Sequence, residues 1–339
     1  MKYCHTLQYL PLLTLSLLLA THAQDAPPSK RGFAFIGDSH PPDNRLLTSP
    51  TSPISWYYNW SPYPNTALIP STLEFLPMIH GLDATQDPRT ERTIASLPQS
   101  STHLLSFNEP DGTTSSGGSA ISPSDAARAY IDYVVPFRSG AKGGGRKWRV
   151  SHPATTGSGI GLEWLRAFNE SCWELDPDQG CRADFVAVHW YGGFPGLASW
   201  LGTLEEFYNA NSTRPEGQGN LTLWVTEMAL PQMNEGATLE MMNQTLPYLD
   251  GLDYVERYAW FGAFRRDEAN AWTGDGVALF DDDGGLTGLG ARFLGEGFEV
   301  GQKGEGADSG AGGGVVVEGA AKGLVVSVGL CVVSLLMSL

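Results

Sequence analysis

Leu221-Thr222-Leu223-Trp224-Val225-Thr226 is a continuous run of apolar and β-forming residues, and Glu227 follows it at once. A strand that is apolar along its whole length is typical of a parallel sheet with both faces covered. Seven further runs of this kind occur, with starts roughly 20 to 45 residues apart, which leaves room for crossover helices. In chain order the eight runs are Gly32–Gly37, Ile54–Tyr58, Phe75–Ile79, Leu104–Phe107, Trp148–Ser151, Phe185–His189, Leu221–Thr226 and Tyr254–Phe261.

The stretches between the runs suit helices, and the clearest are Ser124–Val134, Gly161–Phe168, Leu201–Asn209 and Leu239–Leu246. Eight strand–helix units in about 270 residues predict an α/β fold, a (β/α)8 TIM barrel in a single domain. The alternative is a doubly wound open sheet, which would need a Gly-rich phosphate turn after its first strand. Gly32 and Gly37 do not form such a turn, so nucleotide binding has little support.

The composition narrows the classes of partner. The chain has 339 residues and a net charge of −16, which argues against nucleic acid or an anionic membrane surface as a partner. Ten Trp and twelve Tyr are many for this length. Such aromatics serve either as core or as platforms for sugars, and composition alone does not separate the two.

Both ends of the chain carry targeting patterns. Residues 1–23 resemble a signal peptide, with Lys2, an apolar run over Leu10–Ala20 and small or short residues before Gln24. The alternative is a buried N-terminal helix. At the other end, Leu324–Leu339 is an apolar tail behind a Gly-rich spacer, which is the pattern of a glycolipid (GPI) anchor.

This pattern divides the chain into four parts. A catalytic domain at 24–300 follows the signal peptide, a Gly-rich stalk spans 301–310, and residues 311–339 form a propeptide that is removed. Ser309 or Gly310 is the expected attachment residue. A plain tail anchor is the alternative. The prediction is a secreted protein at the cell surface or cell wall that meets the membrane only through its lipid.

Passage through the secretory route would allow a disulfide to form and asparagines to be glycosylated. Cys172 and Cys181 are the two cysteines outside the end segments, and they are expected to form a disulfide. Two thiols do not complete a tetrahedral zinc set, so no metal is predicted. Five sequons for N-glycosylation lie at Asn59, Asn169, Asn211, Asn220 and Asn243.

Two glutamates directly follow apolar runs. Glu109 lies in Ser106-Phe107-Asn108-Glu109-Pro110-Asp111 after the fourth run, and Glu227 follows the seventh. Barrel enzymes carry their catalytic residues at strand ends, and desolvating an unpaired carboxylate is costly. Glycosidic cleavage needs two such groups, one protonated and one ionised. The alternative for either glutamate is a salt bridge at a strand end.

The residues around these glutamates resemble glycoside hydrolase family 128, the fungal and bacterial β-1,3-glucanases. The likeness extends in order over Lys30 to Phe264 and rests on Lys30-Arg31-Gly32, Trp56-Tyr57-Tyr58-Asn59-Trp60, Phe75-Leu76-Pro77-Met78, Leu105-Ser106-Phe107-Asn108-Glu109-Pro110-Asp111, His189-Trp190-Tyr191-Gly192, Trp224-Val225-Thr226-Glu227 and Ala259-Trp260-Phe261.

The resemblance implies roles for these residues. Glu109 is expected to be the general acid/base and Glu227 the nucleophile, and no cofactor is expected. Asn108 is expected to bind a sugar hydroxyl, and His189 and Tyr191 to line the cleft. The candidates for stacking on glucose rings are Trp56, Trp190 and Trp260, with core packing as the alternative for each, and His152 is a further candidate for the site.

The resulting prediction is a monomeric, retaining endo-β-1,3-glucanase that acts on a polysaccharide. It implies carboxyl groups about 5 to 5.5 Å apart. The alternatives are a glycosidase for another β-glycan, a transglycosylase that remodels the wall, and a glucan-binding wall protein without turnover.

Overall fold

Eight parallel strands curl into a barrel in the computed structural model, which describes residues 29–35, 40–210 and 219–306. The strands are β1 Arg31–Ala34, β2 Trp56–Tyr58, β3 Glu74–Phe75, β4 His103–Leu104, β5 Arg149–His152, β6 Phe185–Tyr191, β7 Thr222–Ala229 and β8 Val255–Trp260. Their order in the sheet is β3-β2-β1-β8-β7-β6-β5-β4. A parallel bridge between Met78 and Leu105 joins the chain after β3 to the chain after β4 and closes the sheet. The predicted single-domain (β/α)8 barrel is confirmed, and each predicted run overlaps a strand.

Helices follow most of the strands. They are α1 Pro41–Leu47, α2 Leu82–Gln86, α3 Pro88–Ser96, α4 Pro123–Ala129, α5 Val135–Ser139, α6 Gly159–Leu175, α7 Phe194–Asn209, α8 Glu235–Gly251 and α9 Gly288–Leu294, with a π-helical turn Tyr130–Val134 between α4 and α5. Two of the longest, α6 and α8, begin at capping side chains. Ser158 accepts from the Gly161 N–H and Asn234 from the Ala237 N–H, which satisfies backbone donors at these helix starts. Among the helices of the described residues, none has the length and apolar character needed to cross a bilayer.

Alternate strand residues form two separate layers of core. One layer lies between the strands and the helices and includes Tyr57, Val186 and Val225. The other fills the barrel interior and consists of Ala34, Trp56, Tyr58, Leu76, Met78, Leu105, Ala154, Phe185, Ala187, Trp224 and Ala259. Because side chains of a strand alternate between faces, the strands β1, β2, β6, β7 and β8 each supply both layers.

A network of charged side chains lies at the amino-terminal end of the barrel. Glu74 on β3 is 2.7 Å from both His103 Nδ1 and Arg257 Nη1. Arg149 donates to His103 Nε2 at 3.1 Å and to Glu256 at 3.2 Å. Burial alone would raise the pKa of Glu74, but the hydrogen bonds and charges of His103 and Arg257 outweigh it and lower the pKa to about 2. The network therefore holds β3, β4, β5 and β8 together through charge.

The packed chain continues beyond the predicted domain end at residue 300. Lys303 forms an antiparallel bridge with Gly285, and Arg45 donates to the Glu305 carbonyl at 2.9 Å. The domain thus extends at least to Glu305, into the segment predicted as stalk. The predicted signal peptide 1–23, the anchor site at Ser309 or Gly310 and the propeptide 311–339 lie outside the described residues.

The cysteine prediction is confirmed, because Cys172 and Cys181 form a disulfide with a Cα–Cα distance of 5.3 Å. It joins the last turn of α6 to the loop before β6. Of the five sequons, Asn211 lies outside the described residues. The other four asparagines, Asn59, Asn169, Asn220 and Asn243, are half-buried or exposed, and their glycosylation stays a prediction.

Gly32 on β1 is expected to tolerate no side chain. A Cβ at this position would overlap the indole of Trp56, which is fully buried inside the barrel. We expect Gly32→Ala to lower the free energy of unfolding by about 1 to 3 kcal/mol through overpacking. Gly159→Ala is the matched control, because nothing lies within 4 Å of a Cβ added there. Urea titration measures both, and equal stabilities for the two variants would contradict the tight packing.

Glu74 is expected to make the domain sensitive to acid. Its pKa is lower in the fold than the ordinary value of 4.5, so its contribution is complete above about pH 5 and is lost as the pH falls toward 2. We expect Glu74→Gln to cost up to about 3 kcal/mol at pH 7, and the difference from the parent to shrink below pH 5.

Denaturant titrations at pH 7, 5 and 3 measure this difference. Glu91→Gln is the control, since the Glu91–Lys142 pair lies on the surface and such pairs contribute little. A cost for Glu74→Gln that stays constant with pH would show that the carboxyl is not held ionised by its partners.

Candidate active site

Glu109 and Glu227 lie together at the carboxyl-terminal end of the barrel. Glu227 belongs to β7 and is in register with His189 of β6, one step after a shift in the register. Glu109 follows β4, and its N–H donates to the Ala154 carbonyl of the chain after β5 at 2.8 Å. One carboxylate oxygen of each glutamate and one ring nitrogen of His189 lie within 4.8 Å of one another. These two glutamates are called the glutamate pair below.

Glu227 is almost fully buried and accepts hydrogen bonds from three side chains. Its Oε1 accepts from the Tyr58 hydroxyl at 2.9 Å and from Trp60 Nε1 at 2.8 Å, and its Oε2 accepts from the Tyr191 hydroxyl at 2.6 Å. Burial, together with the negative charge of Glu227, raises the pKa of Tyr58 and of Tyr191 well above the ordinary value of 10. Both tyrosines therefore remain protonated donors, and hydrogen bonds of this kind favour the ionised carboxylate.

His189 lies between the two glutamates and is completely buried. Its Nδ1 is 2.9 Å from Glu109 Oε1, and its Nε2 is 3.4 Å from Glu227 Oε1. Burial would lower the pKa of His189, but Glu227 and Glu109 together outweigh it, and the pKa is raised above the ordinary value of 6.5. The place of the ring between the two carboxyl groups therefore favours its protonated form.

The backbone of Glu109 adopts a left-handed conformation with φ of 39°. This conformation is strained for a residue other than glycine, and strained residues of this kind cluster at functional sites. The loop at Gly112–Gly118 holds it, because the Glu109 carbonyl accepts from the N–H groups of Gly112 and Ser119. A Cβ at Gly118 would come within 2.6 Å of the same carbonyl, so this position needs glycine.

Asn108 is buried beside this loop. Its Nδ2 donates to the Gly117 carbonyl at 3.1 Å, whereas its Oδ1 has no hydrogen-bond partner among the described residues. A buried amide oxygen without a partner is costly. The Oδ1 atom is therefore suited to accept a hydrogen bond from a ligand hydroxyl, which agrees with the role expected for Asn108.

Three predicted site residues are not at the site. Trp56 is inside the barrel but near its amino-terminal end, where Nε1 donates to the Lys30 carbonyl. Trp260 is fully buried in the outer layer and donates to the Val277 carbonyl. His152 also points outward, toward Tyr130, Phe168 and Tyr208, and burial lowers its pKa to about 4. The predictions of glucose stacking for the two tryptophans and of a site role for His152 were wrong.

Trp190 is a further correction. It is half-buried, packs on Gly192 and Gly196, and belongs to the outer layer, on the face of β6 opposite to His189 and Tyr191. Strand alternation requires this, since His189 and Tyr191 both point to the glutamate pair. The observed role of Trp190 is core packing, which was the alternative to glucose stacking.

Three aromatic residues at the site are absent from the predicted set. Tyr58 and Trp60 contact Glu227, and Phe261 lies 6.0 Å from Trp60 and 5.8 Å from Tyr191 between ring centroids. A signal for Tyr58 exists in the sequence, because it ends the second apolar run as His189 ends the sixth. Trp60 lies beyond its strand at a left-handed φ of 56°, which no periodicity predicts.

Glu109, His189 and Glu227 are also the one set of three potential metal ligands brought together among the described residues. A metal site fits them poorly, however. The two oxygens of Glu227 already accept from Tyr58, Trp60 and Tyr191, and a cation would have to displace these donors. The set fits proton transfer and charge stabilisation better than metal binding.

Comparisons with known proteins agree with this geometry. Residues 32–293 match the family described as glycosyl hydrolase catalytic core. Alkali-sensitive linkage protein 1 of Schizosaccharomyces pombe is 31% identical over an alignment of 277 residues, and the alignment covers 78% of this chain and 44% of that protein. The chain therefore spans less than half the length of this relative.

Solved structures of glycoside hydrolase family 128 share the fold. A curdlan-specific exo-β-1,3-glucanase of Blastomyces gilchristii is 27% identical with a TM-score of 0.58, covering 79% of this chain and 99% of the other. An endo-β-1,3-glucanase of Lentinula edodes is 24% identical with a TM-score of 0.61, covering 78% and 99%. Because the family match covers more than half of the chain, this protein belongs to the glycosyl hydrolase catalytic core family, and the resemblance to glycoside hydrolase family 128 is confirmed.

Proposed function

We propose that this chain is a secreted, retaining endo-β-1,3-glucanase that acts on cell-wall glucan. The observation that carries the proposal is the glutamate pair, whose oxygens lie within 4.8 Å of each other across a buried histidine. The linkage is proposed from the relatives, since the structures described as family 128 enzymes are exo- or endo-β-1,3-glucanases. Secretion and anchoring are proposed from the patterns at the two ends of the sequence.

The different surroundings of the two glutamates support different roles. Glu227 accepts three hydrogen bonds from groups that remain protonated, which suits a carboxylate that stays ionised. Of the side chains named so far, His189 is the one that contacts Glu109, whereas several donate to Glu227. Glu109 is also the more exposed of the two glutamates. It is better placed to exchange a proton with the leaving oxygen and with water. Two carboxyl groups with environments this different are the pattern of an acid and a nucleophile.

In the first step, a carboxylate oxygen of Glu227 attacks the anomeric carbon as the glycosidic bond breaks. The Glu109 proton passes to the departing oxygen, and the sugar remains as an ester on Glu227. Oε2 is the freer atom for attack, because Oε1 already accepts from Tyr58 and Trp60. The negative charge that Glu109 acquires is stabilised by His189 at 2.9 Å.

In the second step, Glu109 accepts a proton from a water molecule, which attacks the anomeric carbon and breaks the ester. Glu227 leaves as a carboxylate and regains its hydrogen bonds from Tyr58, Trp60 and Tyr191. Two inversions give net retention of configuration. The oxygen separation within 4.8 Å supports this course, since inverting enzymes keep their carboxyl groups about 6.5 to 9.5 Å apart to admit water.

Substitution of either glutamate is expected to abolish hydrolysis. We expect the full chain from a secretory host to release oligosaccharides from a linear β-1,3-glucan, and Glu109→Gln and Glu227→Gln each to lose about a hundredfold or more in kcat/KM. Reducing-end release measures the rates, and Glu91→Gln on the surface is the control. A parent that binds the glucan without product would contradict the hydrolase and leave a wall-binding protein.

An activated substrate separates the two roles. An aryl glycoside with a good leaving group needs little acid catalysis, so Glu109→Gln should form the glycosyl ester at nearly the parental rate, whereas Glu227→Gln should not. Stopped-flow release of the aryl alcohol measures this step, and proton NMR of the first product reports its configuration. An inverted product, or equal loss in both variants, would contradict the assigned mechanism.

Tyr191 is expected to support catalysis through its hydroxyl. Tyr191→Phe removes the 2.6 Å hydrogen bond to Glu227, and we expect kcat to fall about 10- to 100-fold with little change in KM. Tyr208→Phe is the matched control, since its buried hydroxyl has no partner in the part of the chain that the structure describes. An unchanged kcat in Tyr191→Phe would contradict the proposed role.

A further inference from the structure

His80 lies at the carboxyl-terminal end of the barrel, beside Asn108, and its side chain is half-buried. The chain after β3 runs along the chain after β4, because the Ile79 N–H donates to the Leu105 carbonyl at 2.9 Å. The His80 carbonyl then accepts from the Asn108 N–H at 3.0 Å. The pairing that closes the barrel therefore fixes the backbone of His80 next to that of Asn108, one residue before Glu109.

The His80 ring and the Asn108 amide meet at one carbonyl. His80 Nε2 and Asn108 Nδ2 each lie 3.1 Å from the Gly117 carbonyl oxygen. A carbonyl oxygen only accepts and has two lone pairs, so both nitrogens donate to it. Nε2 carries a proton in the protonated ring and in one neutral tautomer, so this contact does not require a charged histidine.

The Gly117 carbonyl determines which way the Asn108 amide faces. An asparagine amide can turn over, which exchanges the positions of its oxygen and its nitrogen. Because the carbonyl only accepts, it holds Nδ2 toward the Gly112–Gly118 loop and leaves Oδ1 on the other side, where that oxygen has no partner among the described residues. The atom that is available to a sugar hydroxyl is therefore selected by the position of the Gly117 carbonyl.

Gly117 itself is exposed and loosely surrounded. Its φ is 90°, no atom lies within 4 Å of a Cβ added there, and a second glycine, Gly118, follows it. Glycine has the widest backbone freedom of any residue, so a peptide between two glycines is easily reoriented. His80 and Asn108 are the two side chains of the described residues that donate to this carbonyl. His80, held by the strand pairing, supplies a fixed point that the loop lacks.

We propose that His80 is a positioning residue, which fixes the Gly117 carbonyl and through it the orientation of the Asn108 amide toward the sugar. The inference rests on the proposed function and extends it to a residue that need not touch the sugar. A hydrogen bond from a sugar hydroxyl to Asn108 that strengthens in the transition state contributes to kcat more than to KM. Loss of the His80 ring should therefore weaken the same hydrogen bond that loss of the Asn108 amide abolishes.

A double-mutant cycle in the full chain tests this coupling, with reducing-end release from a β-1,3-linked oligosaccharide of fixed length. We expect His80→Ala to lower kcat about five- to tenfold with KM within about twofold. Asn108→Ala should lower kcat about a hundredfold or more. In the Asn108→Ala background, His80→Ala should cost less than about a further twofold, because the amide that the ring positions is gone.

Three variants separate the hydrogen bond from the bulk of the ring. His80→Gln should recover most of the loss, since glutamine Nε2 is as many bonds from Cβ as histidine Nε2 and also donates. His80→Leu keeps bulk without a donor and should resemble His80→Ala. His40→Ala is the matched control and should keep the parental kcat, because His40 is half-buried and its Nε2 lies 3.1 Å from Glu268 instead of from the loop. Thermal unfolding confirms that each variant is folded.

A further loss of about five- to tenfold from His80→Ala in the Asn108→Ala background would overturn the inference, because independent effects multiply. His80 would then act elsewhere, for example on the backbone of Glu109, which the same loop holds. Parental kcat in His80→Leu would also overturn it. Both results leave the hydrolase intact, whereas a parent that does not cleave the oligosaccharide would contradict the proposed function and the positioning role together.

Discussion

The charge balance between Glu109, His189 and Glu227 is the constraint on which the rest of the site depends. Two carboxylates whose oxygens lie within 4.8 Å of each other repel strongly in a buried environment. The ring of His189, with its raised pKa, lies between them, and three further donors are directed at Glu227. These groups come from β2, β6, β7 and the loops after β2 and β4. Closure of the barrel is what brings such distant segments of the chain to hydrogen-bonding distance.

Much of this arrangement can be read from local patterns. Eight apolar runs predict eight strands because a strand covered on both faces must be apolar throughout. Glu109 and Glu227 stand out because each follows such a run directly. His189 and Tyr191 are two residues apart on β6, and the pleat therefore requires both to point to one face. The same rule places Trp190 on the other face, which contradicts the prediction that it stacks on glucose and agrees with core packing, the alternative.

The remaining differences between the predicted and the observed positions come from features that the alternation of strand residues does not determine. Trp56 points into the barrel as expected for an interior residue, but its height along the axis places it far from the mouth. His152 and Trp260 depend on which face of β5 and β8 turns inward, which is set by the closure of the whole sheet. Trp60 and His80 lie outside any strand, on loops whose course is determined by hydrogen bonds to distant residues such as Asn108. Periodicity carries no information about such loops.

Four non-glycine residues of the described chain have a left-handed backbone, and they are Trp60, Glu109, Ala120 and Gln232. All follow strands at the end of the barrel that holds the glutamate pair. Each of these residues lowers the free energy of unfolding by about 1 kcal/mol or more relative to a glycine in the same conformation. The end of the barrel that holds the glutamate pair is therefore less stable than it would be if it were selected only for folding. A descendant of this domain that kept the barrel for binding alone would no longer be constrained to retain them.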